Sequence, residues 1–393
     1  MNESEHKEQD VGQSHLREVA LLFLKLGCIG FGGPAAHIAM MRQEVVQDRK
    51  WLSDPEFLDL VGATNLIPGP NSTEMAIHLG LLRSGWAGLV AAGTLFILPA
   101  MGMVLALAWA YVEYGSTPEL GWVLYGIKPV VLAVVLQALW GLGRVAIKSV
   151  PFAIVGIAVL GLYLLGVNEI ALLLLGGILV LVANQAARLS RRGIQAMVAL
   201  PLLGFPGLLG VAPATAAPFS LTQLFFIFLK IGAVLYGSGY VLLAFVRADF
   251  VERLGWLTDQ QLIDAIAIGQ FTPGPVLTTA TFIGYVAGGW PAALAATAGI
   301  FLPSFAFVAL LRPVLPWIRR TPWTRTLLDG VNVASLGLMA GVTWQLGRSA
   351  MVDPFAAILF LAAFAVLLRF RVNSAWVVLA GGMLGAGYKG FIG

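Results

Sequence analysis

The chain has 393 residues, of which 59% are hydrophobic and only 11% are charged, whereas a soluble globular domain carries roughly 25% charged residues. This composition excludes a soluble enzyme or binding domain and predicts a polytopic integral membrane protein. Because the chain has one cysteine, four histidines without metal-ligand spacing and a net charge of only +4, we expect no disulfide, metal, cofactor or nucleic-acid partner.

An acidic, polar start is followed by apolar segments that continue almost to the last residue. In the first half these segments lie near 16–46, 54–82, 86–112, 120–147, 151–166 and 169–187. In the second half they lie near 221–246, 258–287, 291–311, 326–348, 354–368 and 374–391. Their length and continuity are typical of membrane helices and not of the short alternating strands of membrane barrels. The predicted fold class is therefore an all-α polytopic membrane protein.

The two halves of the chain are copies of each other. An offset of 205 positions aligns them without a gap from Phe23 to Pro70, and an offset of 204 continues the alignment to Arg144. Matched Trp, Arg, Lys and Pro residues exclude apolar composition as the cause. The predicted domains are a polar tail at 1–15, a first membrane repeat at 16–187, a linker at 188–222 and a second membrane repeat at 223–393.

Equivalent loops of the two copies carry opposite charge. The loop after the third segment is acidic in the first repeat, whereas in the second it carries Arg312, Arg319, Arg320 and Arg325. Cytoplasmic loops of membrane proteins are enriched in Lys and Arg, so equivalent loops are expected on opposite sides of the membrane. This pattern predicts inverted-topology repeats, the architecture of many secondary transporters.

A Pro-Gly-Pro triplet interrupts an apolar segment at the same place in each repeat, at 68–70 and at 273–275. Proline lacks an amide donor and glycine has little helical preference, so each triplet is predicted to break a helix. Capping boxes that begin at Ser53 and Thr258 mark the starts of the preceding helices. Each such helix is ~20 Å long, short of a ~30 Å hydrocarbon core, which predicts broken, re-entrant half-helices. The glycines and proline at 30–34 are a second candidate break, in the first apolar segment, so the sequence leaves open which helix re-enters the membrane.

The residues at these breaks form the candidate substrate site. Broken backbone inside a membrane has to be buried in protein or line a polar cavity, and helix N-termini attract anions. The alternative is that Gly and Pro only permit close helix packing. The predicted ligands in the first repeat are Gly32, Gly33, Asn65, Pro68, Gly69, Pro70, Asn71, Ser72 and Thr73. Those in the second repeat are Gln270, Pro273, Gly274, Pro275 and Thr278.

Charged residues add two further candidates. Lys25 and Lys230 lie at equivalent positions in apolar stretches, where a cation costs at least ~2.5 to 3.5 kcal/mol unless it faces a partner or a cavity. One lysine from each repeat would suit a dianion, although each could instead extend to the membrane interface. Glu74 and His78 lie four residues apart and would share a helix face, which makes them candidates for proton coupling. His78 is equally compatible with a packing role.

Several motifs resemble those of the chromate ion transporter family in its two-domain bacterial form. They are Phe23-Leu-Lys-Leu-Gly27, Phe31-Gly-Gly-Pro-Ala-Ala-His-Ile38, Trp51-Leu-Ser-Asp54, Pro68-Gly-Pro-Asn-Ser-Thr-Glu74 and Ala76-Ile-His-Leu-Gly80. The resemblance covers nearly the whole chain. It implies a multi-pass cytoplasmic-membrane protein that exports chromate, confers resistance to it and has sulfate as a structural analogue of its substrate. The second repeat departs from these motifs, since Val276 and Leu277 replace Asn71 and Ser72.

The sequence thus predicts a secondary transporter that exports an oxyanion, with chromate as the first candidate substrate. Export is expected to be driven by the membrane potential, and proton coupling is an additional candidate. No Walker motif is present, and no catalytic constellation suggests an enzyme. One alternative is transport of sulfate or another tetrahedral oxyanion. The other is a non-transporting membrane assembly or lipid-handling protein. The partners expected are the oxyanion and the lipid bilayer, and a homodimer is one of the oligomeric states left open.

Overall fold

The computed structural model describes residues 3–31, 33–115, 117–190, 218–236, 239–320, 322–370 and 372–392. Within these ranges all regular structure is helical and no strand occurs, which confirms the all-α prediction. Gly32 and the greater part of the predicted linker, 191–217, lie outside the described residues.

The helices of the two repeats follow one another in the same order. The first repeat contains α1 (Glu3–Ile29), α2 (Gly33–Arg42), a π-helix (Gln43–Asp48), α3 (Asp54–Thr64), α4 (Asn71–Tyr114), α5 (Pro118–Ala146), α6 (Val150–Leu164) and α7 (Glu169–Ser190). The second contains α8 (Leu221–Val234), a 3₁₀ turn (Gly239–Val241), α9 (Leu242–Val246), a π-helix (Arg247–Arg253), α10 (Asp259–Phe271), a 3₁₀ turn (Val276–Thr278), α11 (Thr279–Arg320), α12 (Pro322–Ala350), α13 (Pro354–Arg369) and α14 (Ser374–Ile392).

Four helical stretches of the described chain are long and apolar enough to cross a membrane. They are Asn71–Tyr114, Pro118–Ala146, Val276–Leu310 and Thr326–Ala350. Each repeat contributes two of them, at equivalent positions, and the described chain also contains four shorter apolar helices. The protein is therefore a multi-pass membrane protein, as the composition predicts.

The half-helices α3 and α10 start at the predicted capping boxes. The carboxylate of Glu56 accepts a hydrogen bond from the Ser53 amide at 2.8 Å, and the Gln261 side chain accepts one from the Thr258 amide at 2.9 Å. Amides at a helix start have no intrahelical partner, so these side chains satisfy donors that would otherwise be lost. Both predicted helix starts are confirmed.

The long helices α4 and α11 reverse direction near their beginnings. In α4 the backbone leaves helical geometry at Ser84 and Gly85, and Gly85 has a φ of 60°. Gly80 packs directly on Gly88, although the two would be ~12 Å apart along an unbroken helix. Residues 71–83 and 86–114 therefore form a helical hairpin. α11 makes the same reversal at Gly289, where φ is 69°.

The equivalent helices α5 and α12 run antiparallel to each other. The Lys148 ammonium, just after α5, contacts Asp329 near the start of α12, whereas Gly143 lies beside Leu336. Because equivalent helices cross the molecule in opposite directions, the symmetry axis lies across them, as in inverted-topology repeats. The predicted inversion is confirmed.

The two repeats exchange their last helices. α5 of the first repeat packs on α13 and α14, and α12 of the second packs on α6 and α7. α4 and α11 meet between the repeats, each packed on the first helix of its own repeat, α1 or α8. Because α5 and α12 are covered by helices of the opposite repeat, the molecule is a single interlocked bundle.

Candidate functional site

Each Pro-Gly-Pro turn is bonded to the other repeat. The Gly69 amide donates to the Leu235 carbonyl at 2.7 Å, and the Gly274 amide donates to the Gly30 carbonyl at 2.7 Å. Gly30 and Leu235 are equivalent residues that directly follow α1 and α8. Backbone groups freed by a helix break are therefore satisfied across the repeat boundary, as buried backbone in a membrane protein requires.

Only glycine fits the centre of either turn. Gly69 has a φ of 133° and Gly274 a φ of 85°, which L-residues with side chains rarely adopt. A β-carbon on Gly69 would overlap the Glu74 carboxyl group, and one on Gly274 would lie 2.7 Å from the Ala100 β-carbon. The turns therefore need glycine for conformation and for close approach.

A polar cavity of about 510 Å³ opens beside the first turn. A water molecule occupies about 30 Å³, so the cavity is large enough for a small anion with several waters. It lies between α3, the start of α4, the end of α5 and α12. Its polar lining consists of Asn65, Asn71, Lys148, Tyr236, Asp329, Asn332 and Ser335.

Hydrogen bonds hold the two sides of the helix break together at this cavity. The Asn71 amide group donates to the side-chain oxygen of Asn65, and the Tyr236 hydroxyl donates to the Asn65 backbone carbonyl. Asn65 ends α3, Asn71 begins α4, and Tyr236 belongs to the second repeat. The break thus presents amide groups of one repeat and a hydroxyl of the other to the same cavity.

Lys148 supplies the positive charge among the described residues that line the cavity. Its ammonium group lies 2.7 Å from the Asp329 carboxylate, and the lysine side chain is half exposed. The sequence alone did not single out Lys148, Asp329 or Tyr236 as candidate ligands. No local pattern could have found them, because the cavity forms from residues on two repeats that are distant in sequence.

The predicted lysine pair lies elsewhere. Lys25 is paired with Glu44 at 2.5 Å, and Lys230 is paired with Asp249 at 2.5 Å, each within its own repeat. Their side chains are 52% and 38% exposed, and neither lines the cavity. The structure therefore does not bring these lysines to Asn65, and their role in binding a dianion stays a prediction.

The second turn borders a different environment. Pro273 lines an apolar crevice together with Phe31, Phe271 and Trp376. The Thr278 hydroxyl donates to the Pro275 carbonyl at 2.8 Å and so caps local backbone.

Two of the predicted ligands in the described chain, Asn65 and Asn71, line the polar cavity, whereas the other predicted ligands do not. The others are Gly33, Pro68, Gly69, Pro70, Ser72, Thr73, Gln270, Pro273, Gly274, Pro275 and Thr278.

A buried polar cluster lies behind the first turn. The Glu74 side chain is fully buried against Gly69, and neither carboxylate oxygen has a hydrogen-bond partner. The hydroxyls of Thr73 and Ser304 are also buried without a partner, and Ser304 approaches the same glycine. His78 lies one helical turn further along α4 and is buried too. Glu74 is therefore placed between the turn and the bundle interior, and its proposed proton coupling stays a prediction.

Comparison with known proteins identifies relatives of both the whole chain and a single repeat. A family model described as "Chromate transporter" matches residues 17–181 and again 222–386. The chromate transport protein of Cupriavidus metallidurans is 32% identical over 372 residues, which cover 94% of this chain and 92% of that protein. The chromate transport protein of Pseudomonas aeruginosa is 32% identical over 377 residues, covering 92% of this chain and 90% of that protein.

A shorter relative corresponds to one repeat. The uncharacterized transporter YwrA of Bacillus subtilis is 26% identical over 149 residues, which cover 38% of this chain and 83% of that protein. No solved structure matches the chain. With a family model matched in both repeats and relatives aligned over nearly its full length, this multi-pass membrane transport protein belongs to the chromate transporter family.

Proposed function

We propose that the protein exports a tetrahedral oxyanion with two negative charges, chromate first among them, through the cavity beside Asn65. The observation that supports this proposal is a polar cavity at a broken helix, lined by a lysine and by side-chain amides of both repeats. The names of its relatives favour chromate among such anions. Sulfate, which has the same shape and charge, is the alternative substrate.

Recognition rests on two donor groups that bond to side-chain acceptors of the protein in this structure. Lys148 holds Asp329, and Asn71 holds Asn65. An entering dianion accepts hydrogen bonds from the same ammonium and amide groups, and it competes with the Asp329 carboxylate for Lys148. Charge-assisted hydrogen bonds are about twice as strong as neutral ones, so Lys148 contributes most to anion affinity. The amide groups contribute orientation and selectivity for oxygen ligands.

The membrane potential suffices to drive export. One charge crossing the potential changes free energy by ~2.3 kcal/mol per 100 mV, so a dianion leaving an inside-negative cell gains about twice that amount. A coupled proton would alter the net charge moved and make transport depend on pH as well. Glu74 suits this role, because its carboxyl group can carry a proton and is buried beside the first turn without a hydrogen-bond partner.

Flux measurements in proteoliposomes test the substrate site. Labelled chromate and sulfate should move down an imposed potential with wild-type protein, and Lys148→Gln should lower the flux by about tenfold, equivalent to ~1.4 kcal/mol of lost binding. Asn71→Ala should lower it by a smaller factor. Lys50→Gln removes an equal charge from an exposed loop and is the matched control, expected to leave flux unchanged.

Two outcomes would count against this proposal. If the double variant Lys148→Gln/Asn71→Ala shows the same flux as the wild-type protein, the cavity is rejected as the substrate site. An absence of flux for chromate, sulfate, molybdate and phosphate alike would favour the non-transporting alternative.

The variants Lys25→Gln and Lys230→Gln test the paired-lysine prediction in the same flux assay. A rise in the KM for the dianion in both variants would support that prediction.

Glu74→Gln tests proton coupling separately. The amide keeps the size of the side chain but cannot exchange a proton, so flux driven by a pH gradient should be lost while flux driven by potential alone persists. Ser304→Ala changes a neighbouring polar group without removing the carboxyl and is the matched control. If Glu74→Gln leaves both fluxes and their pH dependence unchanged, Glu74 has no coupling role.

A further inference from the structure

The equivalent half-helices α3 and α10 differ sharply in exposure. Leu58 on α3 is 63% exposed, whereas its counterpart Ile263 on α10 is fully buried. Gly62 lines the polar cavity, whereas its counterpart Ala267 borders an apolar crevice. The two equivalent helices therefore differ in state: α3 is open to a polar cavity, whereas α10 is packed against α5, α12 and α14.

A charged cluster lies where α10 packs against α5. Asp264 is 2% exposed and accepts a hydrogen bond from the Tyr111 hydroxyl at 3.0 Å. The Lys128 ammonium lies 3.7 Å from the other carboxylate oxygen, which is an ion-pair distance but too long for a hydrogen bond. That oxygen has no hydrogen-bond partner. Lys128 therefore attracts Asp264 without a direct hydrogen bond between them.

In the repeat alignment Lys128 is equivalent to a residue that lines the polar cavity. At an offset of 204 its counterpart is Asn332, which lines that cavity. Lys128 lies in the first half of α5, whereas Lys148 lies 20 residues further along the chain and just after the last residue of that helix, Ala146. Each of the two lysines faces an aspartate of the second repeat: Lys148 faces Asp329, and Lys128 faces Asp264.

A structural role alone does not account for such a pair. Replacing a buried ion pair by apolar residues of similar volume is often neutral or stabilising, so stability gives little reason to keep these charges within the bundle. Charged residues in membrane-spanning helices are costly and mark ion pathways. The Lys128–Asp264 pair is therefore a candidate for a step in anion movement.

We propose that Lys128 is a second binding station for the same class of tetrahedral dianion, and that Asp264 is the internal carboxylate that occupies it in the state described here. The inference rests on the proposed function. When α10 opens as α3 does, Asp264 leaves Lys128 and the dianion takes its place. Because a carboxylate and a dianion repel each other, arrival of the anion favours separation of Asp264, which links substrate position to opening of the second repeat.

Equilibrium binding of labelled sulfate to purified protein tests the station. Asp264→Asn removes the competing charge and weakens the closed contact, so the Kd for sulfate should fall by about tenfold because the competent state becomes more populated. Lys128→Gln should remove this gain when it is combined with Asp264→Asn. Lys128→Arg in the same background should retain the gain, because the charge is preserved.

A purely structural pair predicts a different result. If Lys128 and Asp264 only fasten α10 to α5, both single variants lower thermal stability and neither changes sulfate affinity of the folded fraction. Tyr111→Phe removes a hydrogen bond to Asp264 but no charge, so it should tighten sulfate binding by a smaller factor than Asp264→Asn does. Unchanged affinity in Asp264→Asn would overturn the proposal.

Cysteine accessibility provides a second measurement. Cys28 is the single cysteine, so Cys28→Ser gives a clean background for Leu58→Cys and Ile263→Cys. An impermeant maleimide should modify Leu58→Cys at rest, whereas Ile263→Cys should react only with sulfate present or with Asp264→Asn. Ile263→Cys that stays unreactive in both conditions would overturn the proposal.

Failure of this inference can be distinguished from failure of the proposed function. If wild-type protein moves no oxyanion in proteoliposomes, the proposed function fails and the second station fails with it. If wild-type flux is present but Asp264→Asn changes neither sulfate affinity nor the reactivity of Ile263→Cys, only the second station is rejected. In that case the cavity beside Asn65 keeps its proposed role.

Discussion

Gly69 and Gly274 each satisfy two requirements at once. The positive φ angle of each glycine allows the chain to turn. Because glycine has no side chain, Ser304 approaches Gly69 and Ala100 approaches Gly274, each from the opposite repeat. The flanking prolines prevent the helix from continuing, so the glycine amide is left free to donate to Gly30 or Leu235 instead. At residue scale, the docking of the repeats depends on these two positions.

Gly274→Ala should sharply reduce the amount of folded protein. A side chain at this φ costs more than ~1 kcal/mol, and overlap with Ala100 adds roughly 1–3 kcal/mol. Gly102→Ala is the matched control, because Gly102 lies in the interior of α4 and a β-carbon there meets open space. The measurement is the monodisperse yield and the thermal midpoint in detergent. Equal yields for the two variants would contradict the requirement for glycine at 274.

The half-helices are the elements that create the site, and their order along the chain was largely predictable. Capping boxes and Pro-Gly-Pro triplets act locally, so the starts at Ser53 and Thr258 and the breaks after them follow from neighbouring residues. The hairpin reversal at Gly85 has only a weak local signal, since a glycine inside a membrane helix often serves packing. The different exposure of α3 and α10 has no signal in the repeat alignment, because it depends on which distant helices each of them packs against.

Thr258→Ala should destabilise the protein by about 1 kcal/mol. The Thr258 hydroxyl accepts a hydrogen bond from the Gln261 amide at 3.1 Å, and loss of such a cap leaves that donor unpaired. Ser149→Ala is the control, because Ser149 precedes α6 but its side chain makes no capping hydrogen bond. Thermal unfolding in detergent should show a lower midpoint for Thr258→Ala only. Equal midpoints for the two variants would mean that the cap contributes little.

Exchange of the final helices makes the whole molecule one folding unit. α5 is buried by α13 and α14, and α12 is buried by α6 and α7, so a separated repeat would expose these helix faces. The site shares this property, since Asn65 and Lys148 belong to one repeat and Tyr236 and Asp329 to the other. Duplication and inversion were predictable from matched residues and loop charge. The identity of these cavity partners was not, because it depends on how the two copies interlock.

Splitting the chain tests this interdependence. Co-expression of 1–204 with 205–393 should give a complex that co-purifies and restores oxyanion flux, because the cut falls between the repeats. Either part alone should accumulate poorly in the membrane. A cut at 132, within α5, is the control and should not be rescued, because it interrupts the buried stretch of that helix. A single part that purifies as a stable monomer would contradict this expectation.

The crossed hydrogen bonds of Gly69 with Leu235 and Gly274 with Gly30 also constrain how the gene can change. The chain length from the end of the first helix to the turn is the same in both copies, which matches the equivalent geometry of the two bonds. An insertion or deletion between 30 and 69, or between 235 and 274, would move one turn off its acceptor while leaving the other in place. The halves align without a gap through this interval, and the one-residue difference between them falls after Pro70. Side chains in the two copies are free to diverge, whereas the spacing inherited from their common ancestor is not.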